Sequence, residues 1–159
     1  TFTVPSGATI TNNGTATGFG GGKIGQVITA TDNTQRSTTS TTFVDASSTL
    51  SVAITPSATS SKIFVTTQFT IGTATDDQVA VYTIYRGVTN LGDSTNGMQR
   101  CATYNVGWDV YFPCAMSILD SPSSTSELTY QVYMKTSLST GYINYGAGLV
   151  SITAFEVLA

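Results

Sequence analysis

Histidine is absent from the 159 residues. That removes the usual near-neutral acid-base group and the commonest metal ligand. Cysteine is scarce, and Cys101 and Cys114, with no CxxC pair, make neither a disulfide-rich scaffold nor a zinc site. They read as two buried thiols or as one bridge, the spacing suiting cross-strand neighbours in a hairpin that turns near Val106 and Gly107. Charge is also scarce, at 9% of residues where about a quarter is usual. The six basic residues run from Lys23 to Lys135 without clustering along the chain, and the net charge is -3. No phosphate-tracking stripe can be drawn from them, which argues against nucleic acid as a partner. No apolar run approaches the roughly 20 residues that span a bilayer. The first residues are neither basic nor followed by a signal-like apolar block, so membrane insertion is not expected.

What is present is polar without being ionic. Ser and Thr fill nearly a third of the positions, yet apolar residues reach 40% and aromatics 10%, and mean hydropathy is +0.12. Disorder needs low hydrophobicity with high charge, so this composition predicts a packed core. The length suits one domain with a short appendage. Residues 1–22 stand apart: a short apolar-polar arm from Phe2 to Ile10, then Asn12-Asn13-Gly14 and a glycine cluster. Such an arm buries little alone, so Phe2, Val4 and Ile10 need neighbours, and sister copies of the arm are one source. The alternative is a plain first strand of the head, which occupies residues 23–159. Opening at Thr1 without Met, the chain reads as a piece of a longer polypeptide.

From Lys23 onward, β-branched and aromatic residues recur at period two between Gly, Asn, Asp, Ser and Pro, and helix signals are nearly missing. The spacing predicts strands over residues 26–31, 41–45, 49–55, 62–72, 78–86, 110–119, 128–136, 142–145 and 149–158. Leu50, Val52 and Ile54, like Leu128, Tyr130, Val132 and Met134, alternate with polar residues and mark strands with one wet face. Residues 79–85 and 149–158 are apolar on both faces, which in a two-sheet sandwich places another body against one outer face. A second subunit is the economical candidate, with Tyr82, Ile84, Ile152, Phe155 and Leu158 joining Phe2, Val4 and Ile10 in its interface. The alternative is that Thr and Ala leave these faces merely neutral.

Two regions carry a resemblance. The arm Thr3-Val4-Pro5-Ser6-Gly7-Ala8-Thr9-Ile10-Thr11-Asn12-Asn13-Gly14-Thr15-Ala16 resembles the unit that precedes the C-terminal head in tail-fibre proteins of marine bacteriophages, cyanophages among them. The head resembles the same group through Lys23-Ile24-Gly25-Gln26-Val27, Ser40-Thr41-Thr42-Phe43-Val44-Asp45, Ile54-Thr55-Pro56-Ser57 with Ser60-Ser61-Lys62-Ile63, Tyr85-Arg86-Gly87, and Leu119-Asp120-Ser121-Pro122 followed by Thr129-Tyr130. The resemblance implies a fibre-tip protein of the virion. Its head would be an all-β, antiparallel two-sheet sandwich of jelly-roll type, like the tumour-necrosis-factor and complement globular heads, homotrimeric on the stub of an extended stalk. Implied partners are a host cell-surface glycan or protein receptor and other virion proteins. A capsid or decoration jelly roll is the runner-up reading, and a polysaccharide-degrading enzyme a distant third.

Catalysis has little to work with. Asp76, Asp77, Asp93, Asp109, Asp120 and Glu127 could supply a glycosidase dyad, but each lies in or beside an expected turn, where such side chains bond the backbone. Asp76 and Asp77 give Ca²⁺ a fraction of its six to eight oxygens, and Cys101 has no base partner. No catalytic residue, metal or cofactor is expected. Binding is better served: Tyr104, Asn105, Trp108 and Asp109 in one loop and Tyr142, Asn144 and Tyr145 in another offer flat aromatic faces beside hydrogen-bonding groups, as a sugar ring requires. The alternative is that these aromatics cap the sandwich or fill a subunit interface.

Overall fold

The computed structural model describes residues 23–73, 77–104 and 110–158, with Val110 described by its backbone alone. The arm with Phe2, Val4 and Ile10, and the loop residues Asn105, Trp108 and Asp109, lie outside them. The described residues hold strands β1 (Ile24–Asp32), β2 (Arg36–Thr38), β3 (Val44–Asp45), β4 (Ser51–Ile54), β5 (Lys62–Thr73), β6 (Gln78–Arg86), β7 (Thr89–Asn90), β8 (Gln99–Thr103), β9 (Val110–Asp120), β10 (Leu128–Thr136), β11 (Gly141–Ile143) and β12 (Val150–Val157), and no helix.

All pairings are antiparallel and fall into two sheets. In the first, β11 and β12 run in succession along one edge of β5 and β9 along the other, with β1 and β2 outside β12 and β11. In the second, β10 lies between β6 and the successive pair β4 and β3, and β7 and β8 follow the far edge of β6. Each successive pair acts as one interrupted strand. The twelve strands thus reduce to eight positions, four per sheet, ordered 1-8-3-6 and 2-7-4-5. That order is the jelly roll.

The alternation read from the sequence sets the core. Leu50, Val52, Ile54, Tyr130, Val132 and Met134 of the second sheet face Ile63, Val65, Phe69, Ile71, Met116 and Ile152 of the first, all buried. Burying one such side chain contributes about 1.5–3 kcal/mol. At one end of the sandwich Arg86 Nη1 donates to both oxygens of Asp120, at 2.8 and 2.7 Å, and the Tyr130 hydroxyl donates to Oδ2 at 2.7 Å. This ties β6, β9 and β10 together across the two sheets.

One open alternative closes, in favour of two buried thiols, and two expectations change. Cys101 and Cys114 are free and buried, and they are not hairpin neighbours: β8 pairs with β6 in one sheet and β9 with β5 in the other. Tyr82, Ile84 and Ile152 point into the core of the single chain, out of reach of a partner subunit. The outer face of β6 is covered by the chain itself. Segment 91–98 leaves the β6 edge and lies over it, with Leu91 N–H donating to the Ile84 carbonyl and Met98 N–H to the Tyr82 carbonyl. Val81 and Thr83 are buried beneath it. Beside them Tyr85 stacks on Tyr133, with centroids 4.0 Å apart, and meets the edge of Phe43. Apolar residues on both faces of a strand signalled a cover, and the cover is local.

One core group reaches back to the chain's surface. The Tyr82 hydroxyl donates to the backbone carbonyl of Tyr142 in β11. Tyr82→Phe should cost about 1 kcal/mol, a fall in Tm of roughly 2–4 °C. Thermal denaturation followed by circular dichroism checks it; an unchanged Tm would remove this tie.

Candidate functional site

The outer face of the first sheet divides into three zones along the strands. At one end Gly72 of β5 stands between Tyr142 of β11 and Tyr111 of β9 in register. Glycine has no side chain to fill that gap, and Tyr145 closes it. Its ring stacks on Tyr111 with centroids 3.6 Å apart and planes at 14°, and it meets Tyr142 edge-on at 5.5 Å. Gly72 is buried in consequence, while all three rings stay half-buried. Asn144 turns the chain here with φ 55°, a left-handed conformation that Asn tolerates, and the Ala147 N–H closes the turn on its carbonyl at 3.0 Å.

Next to the rings lies a cleft of about 370 Å³, where the edge of β5 passes from β11 to β12. Gln68, Thr70, Pro113, Ala115, Asn144 and Leu149 are among its lining residues. Asn144 is 1% exposed, its Nδ2 donates to the Thr34 carbonyl at 3.4 Å, and its Oδ1 is buried without a hydrogen-bond partner. An unsatisfied buried acceptor costs about 1–3 kcal/mol. Among the described residues no carboxylate or cation lines the cleft. The titratable group among its described lining residues is the Cys114 thiol, which burial, with a smaller push from Cys101, raises to about 12. A thiol held that high is no nucleophile near neutral pH.

The middle zone is hydroxyl-rich. Thr29, Thr153, Thr66 and Ser117 form one row across β1, β12, β5 and β9, and Thr31, Ser151, Gln68 and Ala115 the next. The far zone is apolar. Val27, Phe155, Phe64 and Leu119 form a single row across the same strands, with Val27 53%, Phe64 36% and Leu119 51% exposed. The Phe64 and Phe155 rings lie 6.1 Å apart.

Of the residues proposed for receptor contact, the structure brings Tyr142, Asn144 and Tyr145 together. Tyr104 follows the end of β8 and is 64% exposed; Asn105, Trp108 and Asp109 fall outside the described residues. The two sides of that loop stand at the tyrosine end, where Thr103 Oγ1 lies 3.1 Å from Thr73 Oγ1 and Thr73 pairs with both Gly141 and Val110. Tyr111 was missed, because it sits within a strand rather than a loop. The signal for it was Gly72 near the end of an otherwise β-branched strand. Of the interface candidates, Phe155 belongs to the apolar row, and Leu158 is half-buried, its N–H donating to the Lys23 carbonyl.

Two of the carboxylates considered for a dyad hold local structure. Asp93 Oδ1 accepts the N–H groups of Thr95 and Asn96, and Asp120 is held by Arg86 and Tyr130. Among the described residues no cluster of three metal-ligating side chains occurs.

No family model and no curated protein matches the chain. Among the solved structures similar to it are proteins of infectious bursal disease virus. The structure of the Gt strain is 18% identical over 98% of this chain and 43% of that one, with a TM-score of 0.42. The VP2 subviral particle is 16% identical over 84% of this chain and 37% of that one, with a TM-score of 0.40. The chain spans well under half the length of these proteins. A likeness of this size carries no argument, and the jelly roll rests on the strand order alone.

Proposed function

We propose that the chain is a non-catalytic attachment domain of a virus particle that holds a host cell-surface glycan at its tyrosine-lined end. The observation that carries this reading is the Tyr111-Tyr145-Tyr142 group beside a cleft whose described lining is uncharged. Aromatic faces take the apolar side of a sugar ring, and neutral polar groups take its hydroxyls. The fibre resemblance of the arm and head supplies the viral setting, and the jelly roll fits it, being a frequent design of capsid and lectin domains.

The same reading makes the domain a trimer. Segment 91–98 removes one of the outer faces first assigned to a partner, and the apolar row Val27-Phe155-Phe64-Leu119 is the surface that remains. Symmetry matters to attachment: a single sugar contact is weak, with a Kd on the order of 1 mM. Three linked copies raise avidity by roughly 10²–10⁴ without any new contact. Light scattering coupled to size exclusion should return about three times 16.6 kDa for the native chain, and a lower mass for Phe64→Glu. A native monomer at micromolar concentration would contradict the trimer.

A shell or decoration protein is the second reading, favoured by the same apolar row, which crosses the full width of the sheet as a lateral packing surface would. Antibody labelling of virions decides between them. Label at fibre tips supports attachment, and label spread over the shell supports decoration. Release of sugar from host polysaccharide by the purified domain would overturn the non-catalytic reading.

A further inference from the structure

The six basic residues are dispersed in the sequence, but the fold brings two of them together on the outer face of the second sheet. Val81 of β6 pairs with Arg100 of β8 on one side and Lys135 of β10 on the other. Paired residues share a face, and strands lie about 4.8 Å apart, so the two cations flank Val81 with backbones roughly 10 Å from each other. Their side chains are long enough to converge above it. A cleft of about 320 Å³ lies there, with Val79 and Val81 among its lining residues together with Thr95, Asn96, Ser137 and both cations. Among the described residues no carboxylate lines it.

The state of the two cations is what makes the cleft informative. The chain has three arginines; Arg36 is paired with Asp32 and Arg86 with Asp120. Arg100 is exposed, and its guanidinium makes no ion pair or hydrogen bond among the described residues. Lys135 is already placed: its Nζ donates to the Ser94 carbonyl at 3.2 Å and sits 4.4 Å from the Phe43 ring centroid. Two of its three protons remain to be given. The nearby acid, Asp93, has one oxygen committed to the N–H groups of Thr95 and Asn96 and lies outside the cleft; its charge acts on Lys135, which leaves Arg100 as the principal free cation. An unpaired guanidinium with a fixed ammonium beside it, over an apolar floor and ringed by neutral hydroxyl and amide groups, is matched by an oxyanion attached to a neutral polar body.

We propose that this cleft binds an oxyanion, a sulfate or carboxylate group carried on a saccharide, with Arg100 as its principal ligand and Lys135 as the second. The site lies on the opposite sheet from the tyrosine group and does not depend on that group's role. It would extend recognition from neutral to acidic surface glycans. Its volume suits one sugar unit rather than an oligomer.

Amide and guanidinium NMR spectra of the full chain, at ionic strength held constant with chloride, test it with four probes: inorganic sulfate, galactose 6-sulfate, glucuronate and galactose. The expected result is saturable shifts at Val81, Asn96 and the Arg100 side chain with at least one of the two acidic sugars. Half-saturation should fall in the millimolar range and below that for inorganic sulfate. The response to the two acidic sugars identifies which oxyanion is preferred. Arg100→Gln, which removes no ion pair or side-chain hydrogen bond among the described residues, should weaken binding about tenfold or more and leave the rest of the spectrum unchanged. Tyr145→Ala should leave these shifts intact even where it abolishes neutral-sugar binding, which separates the two sites. Shifts that fail to saturate, that persist in Arg100→Gln, or that galactose reproduces would overturn the proposal. Inorganic sulfate binding at least as well as both acidic sugars would overturn its saccharide part.

Discussion

Gly97→Ala is expected to lower stability by about 2–5 kcal/mol, the sum of a left-handed backbone penalty and an overpacked contact. Gly97 has φ +59°, and a Cβ there would stand 2.4 Å from the Tyr82 carbonyl oxygen and 2.8 Å from Val81 Cγ1. The first of these neighbours is backbone in the middle of β6 and already accepts the Met98 N–H, so it has nowhere to go. The fall in Tm should be roughly 5–15 °C for a chain of this size. Gly146 provides the control: its φ is +84° with nothing within 4 Å of a built Cβ, so Gly146→Ala should cost only about 1 kcal/mol. Thermal denaturation of the two variants checks both. Equal effects would mean that segment 91–98 does not press on β6 as described, and the outer face of the second sheet would again need another cover.

Glu156→Gln is expected to cost about 2–3 kcal/mol at pH 7 and almost nothing at pH 2. Glu156 lies at the end of β12 and is 1% exposed. Its Oε1 accepts the Ser57 N–H and Oγ–H, each at 2.6 Å, and its Oε2 accepts Gln26 Nε2 at 2.8 Å. Burial pushes the carboxyl up, but these donors outweigh it and hold the group at about 2. An unfolded Glu titrates near 4.3. The folded group is therefore the stronger acid, and its contribution is complete above about pH 4.3 and lost as pH falls toward 2. Glutamine keeps one acceptor and sets its own N–H₂ against donors, so the loss at neutral pH is not recovered by shape. Asp32 behaves in the same direction: burial raises it, while Ser47, Thr49, the Thr34 N–H and Arg36 together pull it well below the ordinary carboxylate range. It is common to both proteins and cancels in the comparison. Urea unfolding at pH 7, 4 and 2.5 should show the wild-type advantage shrinking with acid. A constant difference would assign Glu156 a packing role only.

How much of this could be read in advance follows from what each strand carries. β10 begins and ends where the alternation of apolar with polar residues does, at Leu128 and Thr136, and β6 spans the apolar run bounded by Gln78 and Arg86. Arg36–Thr38 and Gln99–Thr103 were not legible as strands, because their polar side chains carry no periodic signal; β2 is held by its partner β11 and β8 by β6. The double-sided apolar pattern of residues 79–85 was legible, but its meaning was not. A loop with Gly92 and Gly97 against Thr83 and Val81 is a contact that no alternation rule anticipates. In the site, the pairing of aromatics with amides picked out Tyr142, Asn144 and Tyr145. Tyr111 needed the register of β5 with β9, and the neighbourhood of Arg100 and Lys135 needed that of β6 with two strands. Register is set by packing over the whole sandwich, so what depends on it is the part that a linear reading loses.

Attachment through the tyrosine end is tested most directly by measuring saturation binding of the fluorescently labelled full chain to host cells, native against Tyr145→Ala. The Tyr145 ring lies over the outer side of Gly72 and outside the core, so the variant should keep its fold, at a cost of about 1–3 kcal/mol for the two ring contacts it loses. The account predicts saturable binding of the native protein, competed by soluble host polysaccharide, and at least a tenfold loss for Tyr145→Ala. Native-like binding by a folded Tyr145→Ala would contradict it.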